Sequence, residues 1–179
     1  MGTSKPSEMA VIVPPSHEHL YGPKRAPLVT IPSPALRQVA KEIHVITDIG
    51  NEFVATMRTV MKQGNGVGLA GPQIGWGYRV IMLQIGKLPF TIVINPVLSN
   101  LSEEKVTTTE GCLSIPKLFG DVERHASCTL KGFNSKGNAL SLDLEGPAAI
   151  VAQHEVDHLN GILFVDRANP STLYWGVVR

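Results

Sequence analysis

The most constraining stretch of this 179-residue chain is Gln153-His154-Glu155-Val156-Asp157-His158, with the apolar run Pro147-Ala148-Ala149-Ile150-Val151-Ala152 that leads into it. His154 and His158 are four residues apart. On an α-helix that spacing places both imidazoles on one face, one turn above the other, within reach of a single metal ion. Glu155 then stands beside the ion rather than on it, where its carboxylate can take a proton from water. The apolar run predicts a helix buried around most of its girth. Buried polar side chains need partners, and one ion would satisfy all three. A solvated helix face that carries two histidines and a glutamate by chance is the alternative, and the apolar run argues against it. Two imidazoles leave a tetrahedral ion short of a protein ligand. The best candidate for the third is Cys112, in Glu110-Gly111-Cys112-Leu113-Ser114.

The length suits one domain with a real core. Hydrophobic residues make up 43% and charged residues 17%, ordinary for a globular protein. A formal net charge of +1 gives no support for broad electrostatic binding to nucleic acid or to an anionic membrane surface. No apolar run approaches the length of a membrane span. Two cysteines, Cys112 and Cys128, do not make a disulfide scaffold. With Cys112 on a metal, Cys128 is expected as a small buried hydrophobe in a strand. Residues 1–26 are rich in proline and polar side chains and read as a flexible or draped extension, followed by a single domain over 27–179. The extension lacks the charged start and apolar block of a secretory signal. An organelle-targeting role stays open, although the segment is poor in arginine and contains Glu8 and Glu18. The expected location is cytoplasmic, with mitochondrion or plastid as the alternative.

Along the chain, Ser33-Pro34-Ala35-Leu36-Arg37 reads as a turn into a short helix with Pro34 at its first position. A helix capped by Asp48 is predicted to run to about Lys62, with Ile49, Phe53, Met57, Val60 and Met61 toward the core and Gly64 and Gly66 ending it. Gly66 to Gly75 is too glycine-rich for a regular element and lets backbone approach another group closely. A phosphate loop is the rival for it, and it fails: no Lys-Ser/Thr pair follows and no βαβ unit surrounds it. Strands are predicted over Tyr78 to Ile85, Phe90 to Leu98, Lys105 to Thr109, Ser127 to Phe133, Ala139 to Leu144 and Ile162 to Val165. Asn95-Pro96 marks a bend, Asn134 to Gly137 a hairpin turn, and Asn160-Gly161 the end of the histidine helix. The tail, with Tyr174 and Trp175, is expected to dock on the body. The fold class is α+β, with antiparallel strands around a buried central helix that carries the metal motif.

Three segments, Gly66-Val67-Gly68-Leu69-Ala70-Gly71-Pro72-Gln73, Glu110-Gly111-Cys112-Leu113-Ser114 and Gln153-His154-Glu155-Val156-Asp157-His158, resemble in order and spacing the signature motifs of the peptide deformylases. Ile31 to Arg37 and Asn95-Pro96 extend the similarity, which covers roughly residues 27–167. The chain departs from the family pattern at Gly71, where members usually have a second alanine. Its tail, Asp166 to Arg179, is shorter than in many bacterial members and closer to members without the long final helix.

The resemblance implies hydrolysis of the formyl group from the N-terminal methionine of new polypeptides, with release of formate. Cys112, His154 and His158 would be the metal ligands and Glu155 the proton carrier. The side-chain amide of Gln73 and the backbone N–H of Leu113 would hold the oxyanion. Gln73 as a solvated loop glutamine and Leu113 as plain core are the bland alternatives. One thiolate and two imidazoles suit zinc, and also iron. The resemblance favours Fe2+, with Zn2+, Ni2+ or Co2+ possible in purified protein. The partner is an N-formylmethionyl peptide or nascent chain, and contact with the ribosome is possible; a monomer is expected. The peptide is expected to lie along Gly66, Val67 and Gly68 on one side and near Gly111 on the other, as an added strand. Ile150 and Val151 could line a methionine pocket or simply be helix core, and both can hold. Glu110 is expected as a structural or rim carboxylate near that pocket, and Asp157 in a buried ion pair with Arg124 or Arg37.

Two other functions compete. A zinc peptidase would use the same helix motif on internal peptide bonds, but most peptidases take His or Glu as third ligand rather than a cysteine. A non-catalytic, metal-stabilised module that captures nascent chain ends could dispense with Glu155 and Gln73, and both are present.

Overall fold

A computed structural model describes residues 6–21, 27–44, 50–86 and 89–177 of the chain. Two antiparallel sheets enclose one central helix, the α+β arrangement expected. The first helix, α1 (Asn51–Gln63), is capped by Gly50; Asp48, expected as its cap, and Ile49 lie outside the described residues. Met57, Val60 and Met61 recur on its buried face. A five-stranded sheet has the order β1 (Gly68–Ala70), β2 (Val80–Leu83), β3 (Thr91–Ser99), β6 (Ser127–Phe133) and β7 (Ala139–Glu145). A three-stranded sheet has the order β4 (Lys105–Cys112), β5 (Ile115–His125) and β8 (Tyr174–Trp175).

The second helix, α2 (Pro147–Leu159), packs against strands of both sheets, and every residue from Gln153 to Leu159 is buried. Pro147 sits in its first turn, where a missing N–H costs nothing. Asn160 and Gly161 stop it, with Gly161 in the left-handed region at φ 68°. The register of β3 shifts between Ile94 and Val97, across the bend expected at Asn95-Pro96, and the Asn95 side-chain amide satisfies both backbone groups of Ile43. Cys128 is buried in β6, as expected.

Three features depart from the sequence expectation. β5 is the longest strand and was not anticipated, because Pro116, Gly120 and its charged residues mask the alternation that burial makes plain. Residues 162–165 are not a strand. Phe164–Asp166 is a 3-10 turn, closed by the Leu163 N–H donating to the Asp166 carboxylate at 2.8 Å. Within Gly66 to Gly75, expected to hold no regular element, Gly68–Ala70 is a strand, β1, and Gly71–Ile74 a 3-10 turn. The tail docks on the body as expected, as a strand, β8, against Leu118 and Phe119 of β5.

Residues 6–21 are docked on the body beside the smaller sheet. Met9, Val11, Val13 and Tyr21 pack on the core formed by Ile115, Leu118, Val122 and Phe164.

Candidate active site

Three chain segments converge on one point. β4 and β5 form a hairpin whose two-residue connection is Leu113-Ser114, so Cys112 stands at the very tip of β4. The α2 histidines face that tip. Gln73 comes from a 3-10 turn, Gly71–Ile74, that directly follows β1. One extended stretch ties the loops together: Val29 N–H donates to the Gln73 carbonyl (2.7 Å) and Ile31 N–H to the Ser114 carbonyl (3.1 Å). The loop geometry is therefore braced by backbone hydrogen bonds rather than left to the loops alone.

The ligand atoms of Cys112, His154 and His158 all lie within 4.8 Å of one another. Cys112 Sγ is 3.2 Å from His158 Nε2. With metal–sulfur bonds of about 2.3 Å and metal–nitrogen bonds of about 2.0–2.1 Å, a tetrahedral ion needs donors a little over 3 Å apart. The donor set fits. His154 Nδ1 donates to Glu110 Oε2 at 2.8 Å. An ionised carboxylate can only accept, so that bond puts the ring proton on Nδ1 and leaves the Nε2 lone pair for an ion.

Glu110 is itself held from the other side. Arg124 reaches both its oxygens, Nε to Oε1 at 2.8 Å and Nη2 to Oε2 at 3.0 Å. Arg124 also pairs through Nη1 with Asp157, which in turn takes two bonds from Arg167, at 2.6 and 2.7 Å. Of the two expectations for Glu110, structural or rim carboxylate, the first describes it: a buried group that orients His154. The same contacts resolve the partner of Asp157. Arg124 takes that role together with Arg167, and Arg37 pairs instead with Asp166.

On the protein's own charges these contacts set the titrations. Burial pushes the Glu110 carboxyl up, but its bonds to His154 and Arg124 outweigh that and hold it at about 2. Burial pushes Glu155 up to about 7, opposed by the nearby His154 and aided by Glu110. Burial depresses His154, yet its bonds to Cys112 and Glu110 leave it well above the ordinary histidine value. Burial, with the charges on His154 and Arg124, depresses His158.

A cavity of about 720 Å³ opens beside the three donors. Gly66, Val67, Gly68, Gln73, Glu110, Gly111, Cys112, Leu113, Ile150, Val151, His154 and Glu155 all line it. His158 lies deeper. Glu155 Oε2 is buried and has no hydrogen-bond partner among the described residues. An unpartnered buried carboxylate oxygen carries an uncompensated cost, and one that faces a cleft beside metal donors is placed to exchange a proton with a reactant. Gln73 Oε1 accepts from Ala70 N–H at 2.9 Å, which turns its Nε2 toward the cysteine; Nε2 lies 3.4 Å from Cys112 Sγ and 3.2 Å from Ser114 Oγ. Sequence reasoning quoted Ser114 in the cysteine motif but gave it no role, and it missed Arg167 and several lining residues, among them Leu20, Pro116 and Phe119, which belong to no pattern of chemistry-bearing residues.

Two helical histidines, a cysteine at a hairpin tip and an unpartnered glutamate in an open cleft define a metal-dependent hydrolase. Comparison with known proteins narrows the class. The family model described as polypeptide deformylase matches residues 25–173. A peptide deformylase of Desulforudis audaxviator is 40% identical over 147 residues, covering 82% of this chain and 94% of the relative. The crystal structure of peptide deformylase from Thermotoga maritima superimposes with a TM-score of 0.76 at 37% identity, covering 80% of this chain and 97% of that one. A Met-Ala-Ser-bound peptide deformylase from Acinetobacter baumannii does so with a TM-score of 0.73 at 32% identity, covering 78% and 96%. The chain belongs to the peptide deformylase family.

Proposed function

We propose that the cleft hydrolyses the formamide at the N-terminal methionine of new polypeptides, with Glu155 as the group that moves the proton. The observation that carries this assignment of roles is the unpartnered Glu155 Oε2 beside the Cys112, His154 and His158 donors. A divalent ion held by those three residues supplies a Lewis acid and lowers the pKa of water toward about 7.

The remaining steps belong to the chain. The water oxygen adds to the formyl carbon, and Glu155 takes the proton that this oxygen loses. Charge gathers on the former carbonyl oxygen. Gln73 Nε2 and the Leu113 N–H donate to it, both being placed along the cavity wall next to Cys112. The C–N bond breaks, Glu155 returns its proton to the leaving nitrogen, and formate and a free amine result. β1 is an edge strand of its sheet; the Gly66 N–H is bonded to Met61 and the Val67 carbonyl to Gln84, and the outward backbone at Gly68 remains to pair with an extended peptide. Ile150 and Val151, a turn before His154, form the apolar wall that suits a methionine side chain.

The metal in the cell is Fe2+ in this reading, consistent with one sulfur and two nitrogen donors; thiolate-ligated ferrous iron is open to oxidation. The test is formate release from an N-formylmethionyl peptide by anaerobic, iron-loaded protein, with Glu155→Gln alongside. Turnover in the parent that vanishes in the variant, with metal retained, is the expected result. A folded, iron-loaded parent that releases no formate overturns the proposal.

A further inference from the structure

Resting on that reading, we infer that Leu20, carried by the N-terminal segment, forms part of the substrate cleft and reads the side chain that follows the methionine. Leu20 lines the same cavity as Glu155 and Gly111, in company with Pro116, Lys117 and Phe119. It belongs to a six-residue 3-10 turn, Pro15–Leu20, that lies outside the stretch matched by the family model. The cleft of this chain is therefore completed by a residue the shared domain does not supply.

The turn is anchored on both flanks of Leu20. Tyr21 Oη donates to the Pro116 carbonyl at 3.0 Å. His17 is buried, its Nε2 lies 2.9 Å from the Gly176 carbonyl, and its ring packs on Trp175 with centroids 4.9 Å apart. Trp175 and Tyr174 also fall beyond residue 173, where the family match ends. They pair with Leu118 and Phe119, and Tyr174 stacks on Phe119 at 5.5 Å. Segments from the two ends of the chain thus clasp each other and jointly back the wall that Leu20, Pro116 and Phe119 present.

The position of this wall decides what it touches. The methionine pocket and the donors are built from α2, β1 and the tip of β4. Leu20 instead comes from a turn tied to Pro116 of β5, and the wall it joins continues through Phe119, which pairs in register with Gly111, the residue before the donor Cys112; a peptide that passes Gly111 with its methionine on Ile150 and Val151 brings its next side chain to that wall. An apolar side chain at the second residue of the substrate would bury area against Leu20, and glycine there would not.

The experiment compares Met-Leu-Ser with Met-Gly-Ser for equilibrium binding, and their N-formyl forms for kcat/KM, using parent, Leu20→Ala and His17→Ala proteins. In the parent the leucine peptide is favoured on both measures. Leu20→Ala reduces that leucine-over-glycine ratio by about threefold or more, as expected for lost apolar contact in a pocket. His17→Ala, which loosens the anchor, moves the ratio the same way. A ratio that neither variant changes, in a parent that releases formate, overturns the role of Leu20 and leaves deformylation standing. A parent that binds the peptides but releases no formate overturns deformylation, and the binding ratio alone then decides the role of Leu20.

Discussion

Gly68 lies directly against the side chain of Glu155. A Cβ placed on Gly68 would collide with Glu155 Oε1 and stand 2.6 Å from Val151 Cγ1 and 2.8 Å from Glu155 Cδ. The backbone of β1 and the carboxylate of α2 therefore share one surface, and the absence of a side chain at residue 68 is what lets the carboxylate occupy its place. Gly68→Ala should push Glu155 out of position while leaving the three donors untouched. The expected result is a fall in kcat of at least about tenfold, in line with a misplaced proton carrier. Metal content should stay near one ion per chain. Unchanged kcat in the variant would show that Glu155 tolerates displacement.

Glu110 acts on the metal through His154. Its carboxylate fixes the imidazole tautomer and is itself locked by Arg124. Glu110→Gln keeps the shape but removes the charge, and an amide can present its NH2 where the histidine needs an acceptor. The expected outcome is weaker metal binding by about 10–100-fold, the usual cost of losing such a partner. Competition with a chromophoric chelator measures it. Metal affinity equal to that of the parent would mean that the Glu110 contact does not orient the ligand.

Gly71 shows why a family pattern can be broken without harm. A Cβ there would stand 2.8 Å from the carbonyl oxygens of both Trp76 and Tyr78, and backbone cannot swing aside as a flexible side chain can. In this chain the segment after Gln73 folds tightly over residue 71, and glycine is what that packing requires. Gly71→Ala, although it restores the residue usual in the family, should destabilise the protein by about 1–3 kcal/mol through overpacking. Denaturant titration reads this directly. A variant as stable as the parent would place the Trp76–Tyr78 segment further from residue 71 than found here.

The parts of this site legible in the sequence are those where one local pattern carries the chemistry. The four-residue spacing of His154 and His158 needs only a helix to become a metal face, and the apolar run before it marks that helix as buried. Asn134 to Gly137 similarly announces the β6–β7 hairpin without help from the rest of the chain. What was hidden depends on distant partners. β5 carries Pro116 and Gly120 and lacks a clean alternation, so only its pairing with β4 and β8 defines it. The stretch at 162–165 has strand-like composition, yet Asp166 gathers bonds from Leu163, Met9 and Arg37 and bends it into a turn. Arg167 meets Asp157 because the chain reverses at Gly161, whose alpha carbon lies against the Arg37 backbone. No spacing rule contains that reversal.

Arg124 joins the catalytic helix to the smaller sheet, and its removal tests how much of the fold that junction sustains. The guanidinium is almost fully buried, with 3% of its side chain exposed, and it bonds to Glu110 on β4 and Asp157 on α2 at once. Arg124→Met would fill similar space but leave two carboxylates short of a cation. Breaking a buried pair from one side typically costs about 3–5 kcal/mol, because the remaining charge has lost its compensation. Asp157 keeps Arg167 and Glu110 keeps His154, which places the expected loss toward the lower end. For a domain of this size that is a fall in Tm of roughly 10 °C. Loading with metal should recover part of it, since an ion bound only by the folded site adds its binding free energy to stability. The paired variant Arg124→Met with Glu110→Gln should lose less than the sum of the two single changes, because each removes the same contact. Strict additivity in that cycle would mean that the two side chains do not interact energetically despite their 2.8 Å bond.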